Sequence, residues 1–454
     1  MKPSLQRLIG RRSFFRSMGF AAGAASSSLL TDADLEGAVQ NVSRSSVPSQ
    51  LRITDLRVAV VERAPFTCPI IRIDTNQGIS GYGEVRDGAS KTYALMLKSR
   101  VLGENPCNVD KIFRKIKQFG HHARQAGGVC AVEMACWDLA GKAYGVPVYQ
   151  MLGGKFRDKI RLYADTTESP NGTEQGKRLK KRMERGLTWL KTDFGIDLLR
   201  EIPGTLSKPA GMEAYGGSRV MHPFTGVEIT DKGIGALSDY VAAIRAEIGM
   251  DVPLSADHFG HIGVNSCIRL ARAMEKHQLA WMEDMIPWQF TELLKKITDA
   301  VDLPILTGED IYLKEDFAKL VNSKAVDMIH PDLATSGGIL ETKKIGDLAM
   351  EGGVPMAMHF AGTPVSFMAN VHCAAATENF LVLEHHSLDV PWWEDLVTGI
   401  PKPIVEKGFA NVPDRPGLGV ELNEAVVKQH LRDGGYFEPT KEWDSDRSND
   451  RLWS

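Results

Sequence analysis

The amino-acid sequence predicts an α/β protein, a modified (β/α)8 TIM-type barrel preceded by a smaller α+β domain. The chain has 454 residues, which suits one large barrel with an attached domain. From residue 158 onward, eight short apolar runs alternate with segments of helical periodicity. The runs are apolar along their length, as parallel strands covered on both faces should be.

The first 50 residues predict an export signal and a linker. Arg11 and Arg12 belong to a basic segment with five positive charges before the first acid, Asp32, and a weakly apolar run of small residues follows them. The paired arginines resemble a twin-arginine signal, which predicts a periplasmic or other extracytoplasmic protein. A basic tail on a cytoplasmic enzyme is the alternative. Residues 26–50 are rich in serine and are interpreted as a linker.

Residues 51–157 are predicted to form an N-terminal α+β capping domain. The segments "LRVAVVE" and "PIIRIDTNQGISGYGEV" have the pattern of strands joined by glycine-rich turns. The segment "AVEMACWDLAGKAYG" has apolar residues at helical spacing and ends in glycine, which predicts a helix. At the other end of the chain, residues 401–454 are expected to return to this domain.

Residues 158–400 are predicted to form the barrel. The strand-like runs are, in chain order, 160–166, 187–193, 251–257, 279–284, 303–310, 326–332, 354–359 and 380–386. The interval between the ends of the second and third runs, Asp193 and Asp257, is much longer than the intervals that follow it. Its excess, at about 197–232, is rich in glycine and proline. We expect a loop inserted on the side of the barrel that bears active sites, or else a surface excursion.

Composition excludes several classes of protein. No apolar stretch approaches the roughly 20 residues of a membrane helix. The formal net charge is −3 with the signs mixed along the chain, so that no basic stripe indicates a nucleic-acid partner. The six cysteines form no C-x-x-C pair, which argues against a zinc knuckle or a dithiol redox site and predicts buried apolar cysteines.

Three acids lie at or beside the ends of three successive runs. Asp257, Glu283 and Glu309 are equally spaced at one βα unit, so three neighbouring strands deliver a carboxylate to the same rim. Three close carboxylates repel one another, and a bound cation would offset that repulsion. Ligation by oxygen alone selects a hard divalent ion, and magnesium is the first candidate. The segment "LSADHFGHIG" also holds His258 and His261, so a zinc site is an alternative. Strand alternation points His258 away from the side that Asp257 faces.

These features together resemble the enolase superfamily, in its mandelate racemase-like branch. The resemblance depends on the acids in "SADHF", "WMEDMIPW" and "TGED" and on Asp332 in "HPDLATSGG", with His359 following in "MAMHFAG". Glu384 in "LVLEHH" and the stretch at 131–154 agree in order and spacing, and the likeness runs from about residue 52 to the end. The segment "RPGLGVELNE" is similar to the dehydratases of this branch.

The resemblance implies a site and a reaction. Asp257, Glu283 and Glu309 would bind Mg²⁺, which holds the substrate carboxylate and stabilises the enediolate formed when the neighbouring carbon loses its proton. His359 would be the base, and Asp332 would hold one ring nitrogen and fix the tautomer.

The second strand departs from the family pattern. Family members often carry K-x-K there, and this chain has Lys191-Thr192-Asp193. Lys191 and Glu384 are expected to donate hydrogen bonds to the developing charge, Glu384 only if it stays protonated. Asp193 could accept hydrogen bonds from sugar hydroxyls, pair with Lys191, or act as a second acid–base.

A second departure concerns the acid. Some dehydratases of the branch carry a catalytic histidine two positions after the first metal ligand, where this chain has Phe259. His258 or His261 could replace it. His359 could also serve as both base and acid, if the proton and the hydroxyl leave from the same side.

The expected function is a magnesium-dependent dehydratase, a hydro-lyase acting on an aldonate-type sugar acid to give a 2-keto-3-deoxy acid. An epimerase, racemase or cycloisomerase on the same scaffold is one alternative, and a non-catalytic carbohydrate-binding protein is another. The expected partner is a small acid sugar, with no nucleic acid and no membrane, and we expect a homo-oligomer.

Overall fold

The computed structural model of the protein describes residues 47–207, 226–257, 262–432 and 434–445. The predicted export signal, most of the predicted insertion, and the residues His258, Phe259 and His261 lie outside the described residues.

The N-terminal region is a three-stranded antiparallel sheet covered by a buried helix. Its strands and helices are Ile53–Val61, Cys68–Thr75 and Ser80–Glu84, then Thr92–Leu95, Lys98–Val101, Val109–Ile116, Gly127–Tyr144 and Val148–Met151. The helix Gly127–Tyr144 lies directly on the third strand. A Cβ atom on Gly83 would stand 2.0 Å from the carbonyl oxygen of Ala131, so only glycine permits this close packing.

Eight parallel strands follow, and each overlaps one of the predicted runs. They are named barrel strands 1 to 8 and are, in chain order, Lys159–Ala164, Leu190–Asp193, Leu254–Asp257, Met282–Glu283, Ile305–Thr307, Met328–Ile329, Met356–Met358 and Phe380–His385. Neighbours pair in the order 1-8-7-6-5-4-3-2. Between strands 1 and 2, Arg161 bridges the gap by donating to the hydroxyl of Thr188 at 2.9 Å and to its carbonyl at 2.7 Å. The predicted barrel class is therefore confirmed.

Helices connect the barrel strands. They are Gly172–Glu184, Asp231–Ile248, Val264–Met274, Thr291–Thr298, Lys314–Ser323, Leu333–Ser336, Ile339–Glu351 and Pro364–Ala376. Several begin where a side chain caps them: Asn171 accepts from the backbone N–H of Glu174, and Thr230 accepts from that of Gly233. No helix of the described residues is long and apolar enough to cross a membrane.

The predicted insertion is described only at its two ends. Leu206–Ser207 and Glu228–Ile229 pair as a short antiparallel ladder that brackets the part outside the described residues. The following helix begins at Asp231, so the last two residues of the range 197–232 belong to that helix. The bracketed segment lies between barrel strands 2 and 3.

The C-terminal segment contacts both earlier regions. Its strand Phe409–Asn411 pairs antiparallel with barrel strand 1 on the edge away from strand 8, and Val405–Glu406 extends the hairpin. Further on, Arg432 donates from its backbone N–H to Val60 in the first strand of the chain. Val397–Thr398 pairs with Glu421–Leu422, and the last α-helix of the described residues is Glu424–Gln429.

Two buried carboxylates dock the N-terminal region on the barrel. Glu84 accepts from the backbone N–H of Thr363 at 2.9 Å, at the start of the helix after strand 7. Glu133 accepts from Ile339 and Leu340 at 2.7 and 3.0 Å, at the start of the helix after strand 6. Helix N-termini carry unpaired N–H groups and a partial positive charge. The two carboxylates accept hydrogen bonds from those N–H groups and are attracted by that charge. The region is thereby fixed over the carboxyl ends of strands 6 and 7.

Inside the barrel, one level is filled by apolar side chains on or beside six different strands. These are Tyr163, Trp189, Trp281, Leu306, Ala357 and Val382. Side chains alternate along a strand, so the residue two positions further on points inward as well, nearer the carboxyl end. That next level carries the polar site.

The six cysteines are free thiols, and all but the half-buried Cys107 are buried. They pack as apolar residues, as the sequence predicts.

Candidate active site

A level of buried polar side chains lies directly above the apolar level, at the carboxyl ends of the barrel strands. Each member is at most 5% exposed, and the members are Lys191, Asp257, Glu283, His330, His359 and Glu384. The strand period explains the arrangement, because most of these residues stand two positions after an apolar inward residue. Five of the eight site residues that the sequence predicts belong to this level.

Lys191 lies among three of the carboxylates. Its ammonium nitrogen is 2.7 Å from Asp257 and 2.9 Å from Glu384, with Glu283 at 3.6 Å. Burial alone lowers the pKa of Lys191, but these acids outweigh it and raise the pKa well above its usual value. The side chain is therefore a fixed positive charge at the centre of the site.

Asp257 and Glu283 form a carboxylate group with Asp284, and the three ligand oxygens lie within 4.8 Å of one another. Burial raises the pKa of Asp284 well above its ordinary value, and repulsion from Glu283 and other nearby acids adds to it. Burial and Asp257 raise the pKa of Glu283 in the same way. Carboxylate oxygens are the hard donors that Mg²⁺ prefers. Because these three repel one another at such short distances, a bound divalent cation would relieve their repulsion.

Asp284 is a member of this group that sequence reasoning missed. Strict alternation would point it away from Glu283, its neighbour on strand 4. The strand has ended, however, and the backbone of Asp284 has φ +51°, which turns its carboxylate back toward the same side. Thr307 holds it there by donating a hydrogen bond at 2.6 Å.

Glu309 is not a member of the carboxylate group, although its charge helps to raise the pKa of Asp284. One oxygen is 3.1 Å from Nε2 of His359, and the other is 3.7 Å from the guanidinium of Arg86. Strand 5 ends at Thr307, and Gly308 follows with φ +152°, so the chain has left the strand period before it reaches Glu309. The three predicted ligands do not meet as a trio in this structure.

The structure brings the predicted dyad together. Nδ1 of His359 is 2.6 Å from Asp332, and because an ionised carboxylate only accepts, that nitrogen carries the hydrogen. The other oxygen of Asp332 accepts from the backbone N–H of Ala334 at 2.6 Å. Nε2 of His359 lies on the opposite side of the ring, 3.1 Å from Glu309 and 4.0 Å from Glu384.

Arg86 holds the dyad from the N-terminal region. Its guanidinium is 2.8 Å from Asp332 and donates to Thr335 at 2.9 Å. Although burial lowers the pKa of Arg86, Asp332 and Asp87 raise it above its usual value. Sequence reasoning missed this residue, although a charged pair directly after an apolar strand was a usable signal.

His330 is a second residue that sequence reasoning missed. Its ring is fully buried, with Nδ1 2.6 Å from Glu283 and Nε2 2.9 Å from the hydroxyl of Tyr163. That hydroxyl donates to Glu384 at 2.9 Å, so one chain of hydrogen bonds joins strands 4, 6, 1 and 8. His330 shares the strand parity of Asp332, which would have been enough to predict that it points inward.

Glu384 accepts hydrogen bonds from Lys191 and Tyr163 and lies 3.2 Å from Nε2 of His386. Burial by itself raises the pKa of Glu384, but Lys191 and His386 lower it well below the usual value. The residue is therefore an ionised acceptor. The condition under which it was expected to donate, a raised pKa, is not met, because two cations lie against it.

Asp193 lies at the end of strand 2, further from the apolar level than Lys191, and is half-buried. It lines a cavity of about 180 Å³ together with Glu168, Phe194, Gly195, Asp197 and Leu198. The cavity adjoins the end of strand 2, where Asp193 pairs in register with Asp257 of strand 3, two positions beyond Lys191.

The fold and this site are those of a carboxylate-rich barrel enzyme with a capping domain, and comparison with known families identifies the class. Residues 176–426 match the family described as enolase C-terminal domain-like. Residues 40–153 match the N-terminal domain of the mandelate racemase/muconate lactonizing enzyme family. The chain belongs to the mandelate racemase-like branch of the enolase superfamily, as the resemblance implied.

Particular relatives are similar over most of the chain. D-xylonate dehydratase of Haloferax volcanii is 32% identical over 393 residues, which cover 84% of this chain and 89% of that protein. Arabinonate dehydratase of Saccharolobus solfataricus is 28% identical, covering 81% and 91%. The crystal structure of a mandelate racemase/muconate lactonizing enzyme-like protein from Rubrobacter xylanophilus superposes with a TM-score of 0.75 at 31% identity, covering 86% of this chain and all of that one.

Proposed function

We propose that the protein is a magnesium-dependent dehydratase that converts an aldonate-type sugar acid to a 2-keto-3-deoxy acid. One observation carries the proposal: a base held by a carboxylate, the His359–Asp332 dyad, shares one buried mouth with a carboxylate group and a fixed ammonium. Relatives named for the dehydration of xylonate and arabinonate support the substrate class. The family and these relatives make the chain a hydro-lyase.

The metal is assigned to the carboxylate group. Asp257 and Glu283 supply two ligands, and Glu309 is the third by family pattern, with Asp284 as the candidate that the geometry favours. Mg²⁺ bound there would draw negative charge from the substrate carboxylate and so acidify the neighbouring C–H. His330 orients Glu283 by holding one of its oxygens at 2.6 Å.

The chain's own side chains supply the proton transfer. Nε2 of His359 takes the proton from the carbon beside the substrate carboxylate, while Asp332 holds Nδ1–H and stabilises the imidazolium that forms. Lys191 donates to the charge that develops on the substrate carboxylate. Glu384 keeps that ammonium in place by accepting its hydrogen bond at 2.9 Å.

Epimerisation is the second candidate, and the position of Asp193 is the observation that favours it. A racemase or epimerase needs a base on each face of the substrate. Strand 2, which bears Asp193, is not a neighbour of strand 7, which bears His359. Asp193 could therefore serve the opposite face, although it lies outside the polar level.

A panel of sugar acids distinguishes these functions. The purified protein is incubated with Mg²⁺ in deuterated water, and proton NMR follows both the C2 proton and the 2-keto acid. A dehydratase forms 2-keto acid from at least one aldonate. Exchange at C2 with inversion and without loss of water would identify an epimerase. Binding of a sugar acid with neither reaction would indicate a non-catalytic carbohydrate-binding protein and overturn the proposal.

We also propose export through the twin-arginine signal at the N-terminus. Arg11→Lys with Arg12→Lys keeps the charge and removes the paired arginines. We expect the parent chain in the periplasmic fraction and the variant in the cytoplasm. Equal cytoplasmic retention of both would contradict export.

A further inference from the structure

A second imidazole lies beside the proposed base. His386 follows the end of strand 8, and its ring centroid is 5.4 Å from that of His359 on strand 7. Nε2 of His386 is 3.2 Å from Glu384, and Nδ1 is 3.5 Å from Asp165. Each of the two imidazoles therefore has its own aspartate, and Glu384 lies between the rings, 4.0 Å from Nε2 of His359.

His386 is enclosed by charged groups from several elements, and its side chain is 16% exposed. The charged and titratable groups that face it are Glu384 and His385 at the end of strand 8, Asp165 after strand 1, Lys191 on strand 2, His359 after strand 7, and Asp87 from the N-terminal region. Phe66 of the N-terminal region covers the ring at 6.0 Å.

The charge of this ring follows from those neighbours. Burial lowers the pKa of His386, but the carboxylates of Glu384 and Asp165 outweigh it and raise the pKa to about 9. At neutral pH the ring is an imidazolium that holds a proton on each nitrogen. A protonated imidazole at the mouth of a buried site is a proton donor.

Dehydration requires such a donor. When His359 removes the C2 proton, the electrons of that C–H bond pass to the substrate carboxylate as an enediolate. They then return to form the C2–C3 double bond, and the C3–O bond breaks with its pair on oxygen. Hydroxide is a poor leaving group, so a proton must reach that oxygen as the bond breaks. Phe259 stands where some dehydratases of this branch carry a histidine for this step.

We propose that His386 is the general acid of the reaction, giving its Nε2 proton to the departing C3 hydroxyl so that water leaves. This inference rests on the proposed dehydratase function. The enol left behind then tautomerises to the 2-keto acid, and exchange with solvent returns a proton to His386 and removes one from His359. Because the two rings come from adjacent strands, the proton and the hydroxyl leave from the same face, a syn elimination.

The test separates the two histidines by exchange at C2. In deuterated water with Mg²⁺, His386→Asn should keep the exchange of the C2 proton and lose dehydration by roughly 100-fold or more. His359→Asn should lose both. His121→Asn, at an exposed histidine, is the matched control and should change neither.

A substrate analogue distinguishes an acid from a structural residue. The 3-deoxy-3-fluoro sugar acid loses fluoride, which leaves with far less help from an acid than hydroxide does. We expect His386→Asn to eliminate fluoride within a few-fold of the parent rate, and equal loss of both eliminations would overturn the role. The parent's alkaline limb in kcat, near pH 9, should be absent with the fluoro substrate.

The outcomes distinguish this inference from the function on which it rests. If the parent forms 2-keto acid and His386→Asn forms it within twofold of the parent rate, the role of His386 is wrong and the dehydratase stands. If His386→Asn also loses exchange at C2, the ring is not acting as the acid alone and the inference fails. If the parent itself forms no 2-keto acid from any sugar acid, the proposed function falls, and this role falls with it.

Discussion

The two halves of the barrel mouth differ in how their charges are balanced. On strands 3 and 4, the metal half, the carboxylates of Asp257, Glu283 and Asp284 gather with Lys191 as the nearest ammonium. On strands 6 to 8, the imidazole half, Asp332 faces His359 and Glu384 faces His386. Excess negative charge in the metal half favours binding of a cation from solution. In the imidazole half each acid is paired with a histidine ring, and such pairs are able to transfer protons.

The largest effect is expected in the imidazole half. His359→Asn removes the proposed base and should lower both C2 exchange and dehydration by roughly 10²- to 10⁴-fold. The Mg²⁺ affinity of this variant, measured by calorimetry, should stay near that of the parent, because His359 belongs to the other half. A variant that loses metal binding and activity together would show that the two halves are not separate.

Arg86 should matter most to stability. Arg86→Met leaves the buried carboxylates of Asp332 and Asp87 without their shared cation. The free energy of unfolding should fall by about 3–5 kcal/mol, the usual cost of breaking a buried ion pair. Urea denaturation measures it, and Arg63→Met, at an exposed arginine of the same region, should stay within about 0.5 kcal/mol of the parent. Equal losses in the two variants would show that the buried ion pairs of Arg86 do not stabilise the fold.

Metal binding should stabilise the folded protein through the metal half alone. At a Mg²⁺ concentration 100 times the dissociation constant, the parent should gain about 2.7 kcal/mol, seen as a higher melting temperature. Glu283→Gln should lose most of this gain. Comparing Glu309→Gln with Asp284→Asn then identifies the third ligand, since only one of them should behave like Glu283→Gln. A full gain in Glu283→Gln would place the metal elsewhere.

His330 links the two halves and should have a smaller effect. His330→Asn removes the hydrogen bond that orients Glu283, and loss of such an outer partner typically weakens metal binding by about 10- to 100-fold. Calorimetric titration with Mg²⁺ checks this. His372→Asn, at a buried histidine of the helix after strand 7, is a control for the packing cost and should leave the Mg²⁺ affinity unchanged.

The smallest change is a shift in titration. The pKa of His386, about 9, lies above the usual value for histidine, so its contribution to stability is complete below about pH 6.5 and is lost as the pH rises through 9. Glu384→Gln removes the largest favourable charge on the ring, so the pKa of His386 should fall and the loss should begin at lower pH. NMR titration of the ring protons measures the shift, and an unchanged pKa would contradict the pairing.

The sequence predicts those parts of the site that follow the strand period. Lys191, Asp257, Glu283 and Glu384 lie at inward positions near the carboxyl ends of their runs, so alternation places them on one level. The dyad of Asp332 and His359 follows from the family spacing. His330 and His386 obey the same parity as their predicted neighbours, and the signal for both was present in the runs themselves.

The remaining features depend on geometry that no spacing encodes. Asp284 joins the carboxylate group because its backbone turns at φ +51° after the strand ends, and Glu309 leaves the group after Gly308. Arg86 comes from another region of the chain, more than 200 residues from the dyad that it holds. The ionisation of Glu384 is set by Lys191 and His386 together, so it follows only once all three are placed.

The most direct test of the account is deuterium incorporation at C2 of an accepted sugar acid, followed by proton NMR. The parent protein with Mg²⁺ should exchange that proton while forming 2-keto acid, chelation with EDTA should stop both, and added Mg²⁺ should restore both. Undiminished exchange after chelation, or in His359→Asn, would contradict the claim that a bound divalent ion and this imidazole act together in the barrel mouth.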